Sequence, residues 1–313
     1  MSQPESPHFI PHESFKKLTH EDALFFENFD FRDKKQWMAE NWTLSIAITA
    51  LYLGFIFLGQ LYMRNRSPYD LRRLLTSWNV LLALFSIAAT MRTLPELIRI
   101  LLQNHGFHHS ACSPCEDVSP ASAFWAWAFV LSKVAELGDT IFIILRKQPL
   151  IFLHWYHHLT VLLYSWYSYG DYIAPARWFV VMNYLVHSFM YTYYALKSLR
   201  WRIPRVISMS LTFLQLSQMV IGFWVNMYAY TIKNEGLECD ISYHHLQIGF
   251  GIYASYFALF LNFFYNAYFG AKRKQALEKK HDAPNNVLKN GIANGHVNNT
   301  HGYGLRNRVG TNA

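Results

Sequence analysis

The sequence predicts an all-α membrane protein of seven transmembrane helices, and three observations carry that prediction. Apolar residues make up 52% of the 313 and charged residues only 15%, against about 25% charged in soluble domains. The apolar residues gather in runs of the roughly 20 that cross a hydrocarbon core as one helix. The basic residues collect in short loops between those runs. The mean hydropathy of +0.05 hides this pattern because polar tails at both ends dilute the apolar middle.

The runs fall at about 43–62, 75–94, 121–145, 151–169, 175–198, 206–230 and 246–268. They define a seven-helix domain over 43–271, preceded by a non-cytosolic tail over 1–42 and followed by a tail over 272–313. That last tail is rich in Asn, Gly and charge and is expected to be disordered. The first 40 residues hold no apolar core of the signal-peptide kind, so the first helix is expected to insert the chain. Only Arg146 to Leu150 separate the third run from the fourth, which predicts a tight antiparallel pair. Pro149, Pro175 and Pro204 stand just before helices, where proline is tolerated, and the interiors of the runs are read as free of it.

Orientation follows from the loops. Arg64, Arg66, Arg72 and Arg73, then Arg146 and Lys147, then Lys197, Arg200, Arg202 and Arg205 share one side with the basic carboxyl-terminal tail. Arg92, Arg99, Arg177 and Lys233 lie opposite, so the carboxyl terminus is expected in the cytosol. Arg32, Lys34 and Lys35 pull the first helix the other way. A net charge of +8 spread over loops fits a membrane surface and phosphorylated ligands, not a nucleic-acid-binding face. All three cysteines fall on the non-cytosolic side, so Cys112 or Cys115 is a candidate to bridge to Cys239. The sequons at Asn41, against the membrane, and Asn298, in the cytosolic tail, are read as unused.

Ionisable groups inside membrane spans cost about 2.5–3.5 kcal/mol each and mark function by default. Here they recur at helical spacing. The third run carries Lys133, Glu136 and Asp139, then Thr140; the fourth carries His154, His157 and His158. The fifth adds Asn183, His187 and Tyr191, and the sixth Thr212, Gln215 and Gln218. Residues three or four apart share a helix face, so each of the four helices turns one polar stripe toward the others. The bland alternative for the acidic stripe is a structural rivet, with Lys133 paired to Glu136 and Asp139 to a histidine. For the glutamines it is interhelical hydrogen bonding.

Three chemistries suit such a set. A di-iron site needs about eight histidine ligands and is under-supplied, and a zinc ion on three nitrogens is the second. In the third, an imidazole serves as nucleophile or general base beside a carboxylate and a second histidine. Asn183, Gln215 and Tyr191 would then donate to a developing oxyanion or enolate.

Four ordered motifs bring the chain close to one family. They are Lys133-x-x-Glu136-x-x-Asp139-Thr140, the box His154-Trp155-Tyr156-His157-His158, the run Asn183-x-x-x-His187-x-x-Met190-Tyr191-x-Tyr193-Tyr194, and Thr212-x-x-Gln215-x-x-Gln218. From about Trp37 to Ala271 the chain resembles the ELO family of fatty acid elongases. The stretch Leu145 to Leu153, leading into a Trp-Tyr-centred box, resembles the branch acting on saturated and monounsaturated chains of about palmitate length. The resemblance implies a closed seven-helix bundle around an acyl tunnel, in the endoplasmic reticulum membrane. It implies a 3-ketoacyl-CoA synthase that condenses acyl-CoA with malonyl-CoA without metal or cofactor, through an acyl-imidazole on a histidine, His157 foremost. The competing account makes the histidines bases in a direct condensation.

The catalytic set expected is His154, His157, His158 and His187 with Glu136, Asp139 and Asn183. The substrate-binding set is Lys133, Tyr191, Tyr194, Gln215 and Gln218, with Lys197, Arg200, Lys272 and Arg273 assigned by position to the phosphates of CoA. The ketoacyl-CoA reductase, dehydratase and enoyl-CoA reductase of an elongation cycle are expected partners beside the bilayer; a homo-oligomer is compatible, and nucleic acid is not a partner. Many family members end in a lysine-rich retrieval signal, whereas this chain ends Gly310-Thr311-Asn312-Ala313. The rival class is a seven-helix receptor or a transporter.

Overall fold

The computed structural model describes residues 23–28, 30–114 and 119–270. The chain divides into two compact units, Met1–Phe264 and Tyr265–Ala313. Regular structure among the described residues is entirely helical. The helices are α1 (Phe31–Asn41), α2 (Leu44–Met63), α3 (Arg72–Leu101), α4 (Gly106–Cys112), α5 (Pro120–Ala135), α6 (Gly138–Leu145), α7 (Phe152–Asp171), α8 (Ala176–Ser198), α9 (Arg205–Asn234) and α10 (Tyr243–Tyr265). The second unit is described only over 265–270, where Asn266–Gly270 form a π-helical turn.

Among the described residues four helices are long and apolar enough to cross a membrane: α2, α3, α9, and α10 with its continuation to Phe269. The remaining long segments fall short for a physical reason. α7 and α8 have the length, 20 and 23 residues, but carry the histidines, Asn183 and Arg177 that lower their hydropathy. α5 and α6 are 16 and 8 residues because the helix predicted over 121–145 is interrupted. At the interruption Leu137 donates to the Val134 carbonyl, Asp139 to that of Glu136 and Thr140 to that of Leu137. Those are bonds of the tighter three-residue helix, which stacks i and i+3 above one another.

Six segments close a ring. α3 packs on both α5 and α8, α8 on α9, and α5 on α7. α10 completes it through Tyr156 Oη donating to Ser255 at 3.0 Å and Thr160 meeting Tyr256 at 2.6 Å on the α7 side. On the α9 side Gly222 admits the Tyr253 ring, since a Cβ there would lie 2.2 Å from its Cε1. α2 lies outside the ring, against α6 and α7. At one end of the bundle stand the basic loops, where the Tyr69 amide bonds the Leu145 carbonyl at 3.0 Å. At the other end Cys112 and Cys239 form a disulfide, and the Asp240 amide bonds the Cys112 carbonyl at 2.9 Å. Cys115 lies outside the described residues.

Two expectations need correction, and one element was not foreseen. Residues before the first apolar run are not all tail: Asp30 caps α1 by accepting from the amides of Arg32 and Asp33, and α1 packs on α7 and α5. Glu27 is buried and takes a two-point ion pair from Arg92, with a third hydrogen bond from Trp125 at 2.9 Å. α4 was not foreseen; at seven residues it leaves no periodic signal. Pro95 lies inside a helix, because α3 runs seven residues past the expected end of the second run.

Candidate functional site: a histidine cluster between two cavities

Lys133 and Glu136 stand one turn apart just before the tight step, where the Glu136 amide still bonds the Ser132 carbonyl. Lys133, 1% exposed, donates from Nζ to Glu136 Oε1 at 2.7 Å and Oε2 at 3.0 Å, and to Asn183 Oδ1 at 2.9 Å. A lysine tolerates such burial only with its donors paired. Because ammonium can only donate, Asn183 Oδ1 is the acceptor and its Nδ2 must face the other way. That nitrogen lies 3.1 Å from His187 Nε2. His187 Nε2 therefore accepts, and the ring proton sits on Nδ1, 3.8 Å from Glu136 Oε1. The chain Lys133–Asn183–His187 thus fixes one tautomer.

Asp139 is held by a second pair of donors. Trp78 Nε1 reaches Oδ1 at 2.7 Å and Tyr191 Oη reaches Oδ2 at 2.8 Å. The histidine partner envisaged for Asp139 is not there; Glu136 is the carboxylate beside a histidine. Gly138 makes this possible, since a Cβ on it would lie 2.9 Å from Trp78 Cζ2. Thr140 links Tyr52 of α2, at 2.8 Å, to His154 Nε2, at 3.0 Å.

The box on α7 forms a layer of rings. His154 and His158 are 4.5 Å apart by centroids, His157 and His158 5.4 Å, and His157 and Tyr256 5.0 Å. His158 is buried, with Nδ1 lacking a hydrogen-bond partner among the described residues, whereas His154 and His157 are half-buried. Tyr256 steadies the box by bonding Thr160 and the His157 carbonyl, at 2.6 and 3.3 Å. His187, Lys133, Glu136 and His154 are the electrostatic neighbours of His157.

Two cavities meet this layer from opposite ends. One is a mainly apolar tunnel lined by all six ring helices and by no residue of α2. Its α7 wall is the stripe His157, Val161, Tyr164, Ser165, Ser168 and Tyr169, at helical spacing. Asn183 and Gln218 also line it. The other cavity opens at the basic loops and holds Arg72, Arg146, Lys197 and Arg200 at its rim, with Asp139, His154 and Tyr191 within.

Of the expected substrate-binding residues, Lys197, Arg200, Tyr191 and Tyr194 line the basic cavity and Gln218 the tunnel. Gln215 lines neither cavity and directs Nε2 to Met190 Sδ at 3.5 Å. Lys272 and Arg273 lie outside the described residues. Trp78, Asn79, Tyr52 and Tyr256 had no signal in the sequence beyond their place among many aromatics and amides. Arg72 and Arg146 were visible, but as topology signals only. Among the described residues no three His, Cys, Asp or Glu side chains are grouped to hold a metal ion.

Fold and site together define a multi-pass helical membrane protein with a buried histidine centre shared by an apolar tunnel and a cationic cavity. A family model described as ELO: GNS1/SUR4 matches residues 37–276, and the chain belongs to that family. It is 53% identical over 247 residues to a protein of Drosophila melanogaster called very long chain fatty acid elongase 6, covering 78% of each chain. Proteins of the same name from Gallus gallus and Homo sapiens are each 46% identical over 257 residues, 82% of this chain and 96% of theirs.

Proposed function

We propose that this chain is the condensing enzyme of fatty acid elongation, joining a long-chain acyl-CoA to malonyl-CoA to give 3-ketoacyl-CoA, CO2 and CoA. The observation that carries the reading is the position of the histidines between an apolar tunnel and a basic cavity. A fatty acyl-CoA has two parts that no single environment suits. Its tail belongs in the tunnel and its phosphates beside Arg72, Arg146, Lys197 and Arg200, where charge-assisted hydrogen bonds are strongest. That division brings the thioester to the histidines.

In the sequence of steps we favour, His157 attacks the thioester carbon. The C–S bond breaks and CoA leaves as a thiolate, which takes up the proton shed by the acylated ring. His187 Nε2 accepts from Asn183, so it takes up that proton in transit to the thiolate only by giving up this hydrogen bond. Asn183 and Gln218, which line the tunnel as His157 does, donate to the oxyanion. Malonyl-CoA then occupies the basic cavity. Its terminal C–C bond breaks to release CO2, and the electron pair stays on the α-carbon as an enolate. That carbon attacks the acyl carbon, the C–N bond pair returns to His157, and a proton from water restores the neutral ring. In the alternative, direct condensation, the histidines serve only as bases. No step calls on a cofactor.

The names of the relatives support fatty acid elongation, and the Trp-Tyr-centred box supports saturated or monounsaturated chains of about palmitate length. We read α5–α6, α7 and α8 as spans alongside the four that meet the hydropathy criterion, giving seven, with the carboxyl terminus cytosolic and the protein in the endoplasmic reticulum. The product's 3-keto group calls for a reductase, a dehydratase and an enoyl reductase to follow. The reading is tested with purified protein and malonyl-CoA labelled in its free carboxyl group. Labelled CO2 should appear only when a long-chain acyl-CoA is present; no acyl-dependent release would turn the assignment toward a membrane receptor or transporter.

A further inference from the structure

The apolar tunnel has a polar far end. Its wall there carries Glu96 of α3, Ser122 in the first turn of α5, Tyr169 in the last turn of α7 and Arg177 in the first turn of α8. α3 and α7 run toward the disulfide and α5 and α8 run away from it, so chain direction sets all four at one level. Glu96, 5% exposed, accepts from the Ser119 amide at 3.2 Å and from the hydroxyls of Ser119 and Ser122, none of them charged. Arg177 directs Nη1 at the carbonyls of His109 and Ser110, each at 3.4 Å, while its buried Nε has no hydrogen-bond partner among the described residues. The buried hydroxyl of Tyr169 is likewise without a partner. Buried polar groups left unpaired cost free energy, and apolar residues of similar size would close the same space without that cost.

The depth of this layer has a chemical meaning. From His157 to Tyr169 is twelve residues along α7, or about 18 Å at 1.5 Å per residue. One leaflet supplies about 15 Å of the roughly 30 Å hydrocarbon core. An acyl chain of ordinary membrane-lipid length, with its thioester at His157, therefore brings its last carbon to the polar layer.

We infer that the far end of the tunnel is a binding site for a polar chain terminus, one that takes acyl chains ending in a hydroxyl group and halts methyl-ended chains that reach it. A terminal hydroxyl can donate to Glu96 and accept from Arg177 Nε or Tyr169 Oη. Midway along the tunnel, among Phe129, Val130 and Val161, the same hydroxyl meets no charged group, only serines whose own protons are given to the Leu162 and Ser165 carbonyls. A methyl group pressed into the layer dehydrates a carboxylate and a guanidinium and returns nothing. The inference rests on the condensing function proposed above.

The test is the initial rate of condensation by the purified full chain with methyl-ended and terminally hydroxylated acyl-CoAs of about 12, 14, 16 and 18 carbons. The hydroxyl should lower kcat/KM about tenfold or more in the shortest pair, where it stops short of Glu96 and Arg177, and by under about threefold in the pairs that reach the layer. Arg177→Met, apolar and of similar reach, should abolish that recovery and admit methyl-ended chains about two carbons longer. Because Arg177 also ties α8 to α4, Tyr169→Phe, which deletes an unpartnered hydroxyl, serves as the second variant and should weaken the recovery. A hydroxyl penalty equal at every length, or a recovery unchanged in both variants, overturns the site. Failure of the wild-type chain to condense any methyl-ended acyl-CoA overturns the condensing function itself, and the inference with it.

Discussion

Lys133 organises the centre more than any histidine does. Its ammonium bonds Glu136 and Asn183, and through Asn183 it decides which nitrogen of His187 carries the proton. Lys133→Met should leave Glu136 as an unpaired buried charge, costing about 3–5 kcal/mol, and free the Asn183 amide to turn. Thermal unfolding in detergent reads the first effect, and loss of acyl-dependent CO2 release in the surviving folded fraction reads the second. Ahead of the first membrane-spanning helix, Glu27 offers a residue-level test in pH. Burial alone would raise its carboxyl, but hydrogen bonds from Arg92, the Leu24 amide and Trp125 outweigh burial and hold it below 4.5. Its contribution is then complete above the unfolded value and is lost as pH falls through the lower folded value. Glu27→Gln should flatten the acid limb of a plot of unfolding temperature between about pH 6 and pH 3.

The element that shapes the site is the tight step between α5 and α6. Lys133, Glu136 and Asp139 at intervals of three were plain in the sequence and read as one stripe, but the step that leaves Glu136 with Lys133 and gives Asp139 to Trp78 and Tyr191 was not. The step depends on Gly138, against which Trp78 lies close enough to hold Asp139. Gly138→Ala should displace the indole, break its bond to Asp139 and destabilise the protein by about 1–3 kcal/mol, measurable as a lower unfolding temperature and altered indole fluorescence. α1 and α4 were illegible for another reason. Each is short, and each is fixed by tertiary partners, such as α7 under α1 and the disulfide at the end of α4, that a local pattern does not announce. Pro95 falls inside α3 because the apolar run ends before the helix does; buried Glu96 and exposed Arg99 continue the helix without continuing the hydropathy.

At the scale of the molecule, the helical runs and their four polar stripes were readable because lipid enforces long apolar runs and penalises every exception. Ring closure was not, since nothing in the hydropathy of α2 says that it stays outside while α10 seals the tunnel. The loop arginines had been counted for orientation, yet Arg72 and Arg146 also rim the basic cavity, so one set of charges serves two ends. Arg72→Ala with Arg146→Ala should raise the KM for acyl-CoA by about tenfold or more, as expected for losing a charge-assisted hydrogen bond of about 1.5–3 kcal/mol. Added salt should mimic it in the parent chain. The Cys112–Cys239 bridge closes a loop with a separation of 127 residues, and reduction should lower stability by about 2–4 kcal/mol with the basic cavity intact. The most direct measurement of the whole account mixes the purified chain with palmitoyl-CoA and no malonyl-CoA, then assays free CoA and the peptide spanning the histidine box. The account predicts CoA release stoichiometric with protein and an acyl group on His157, both absent in His157→Ala. Product formation by His157→Ala at the parent rate, or no CoA release before malonyl-CoA is added to an enzyme that then turns over, would contradict it.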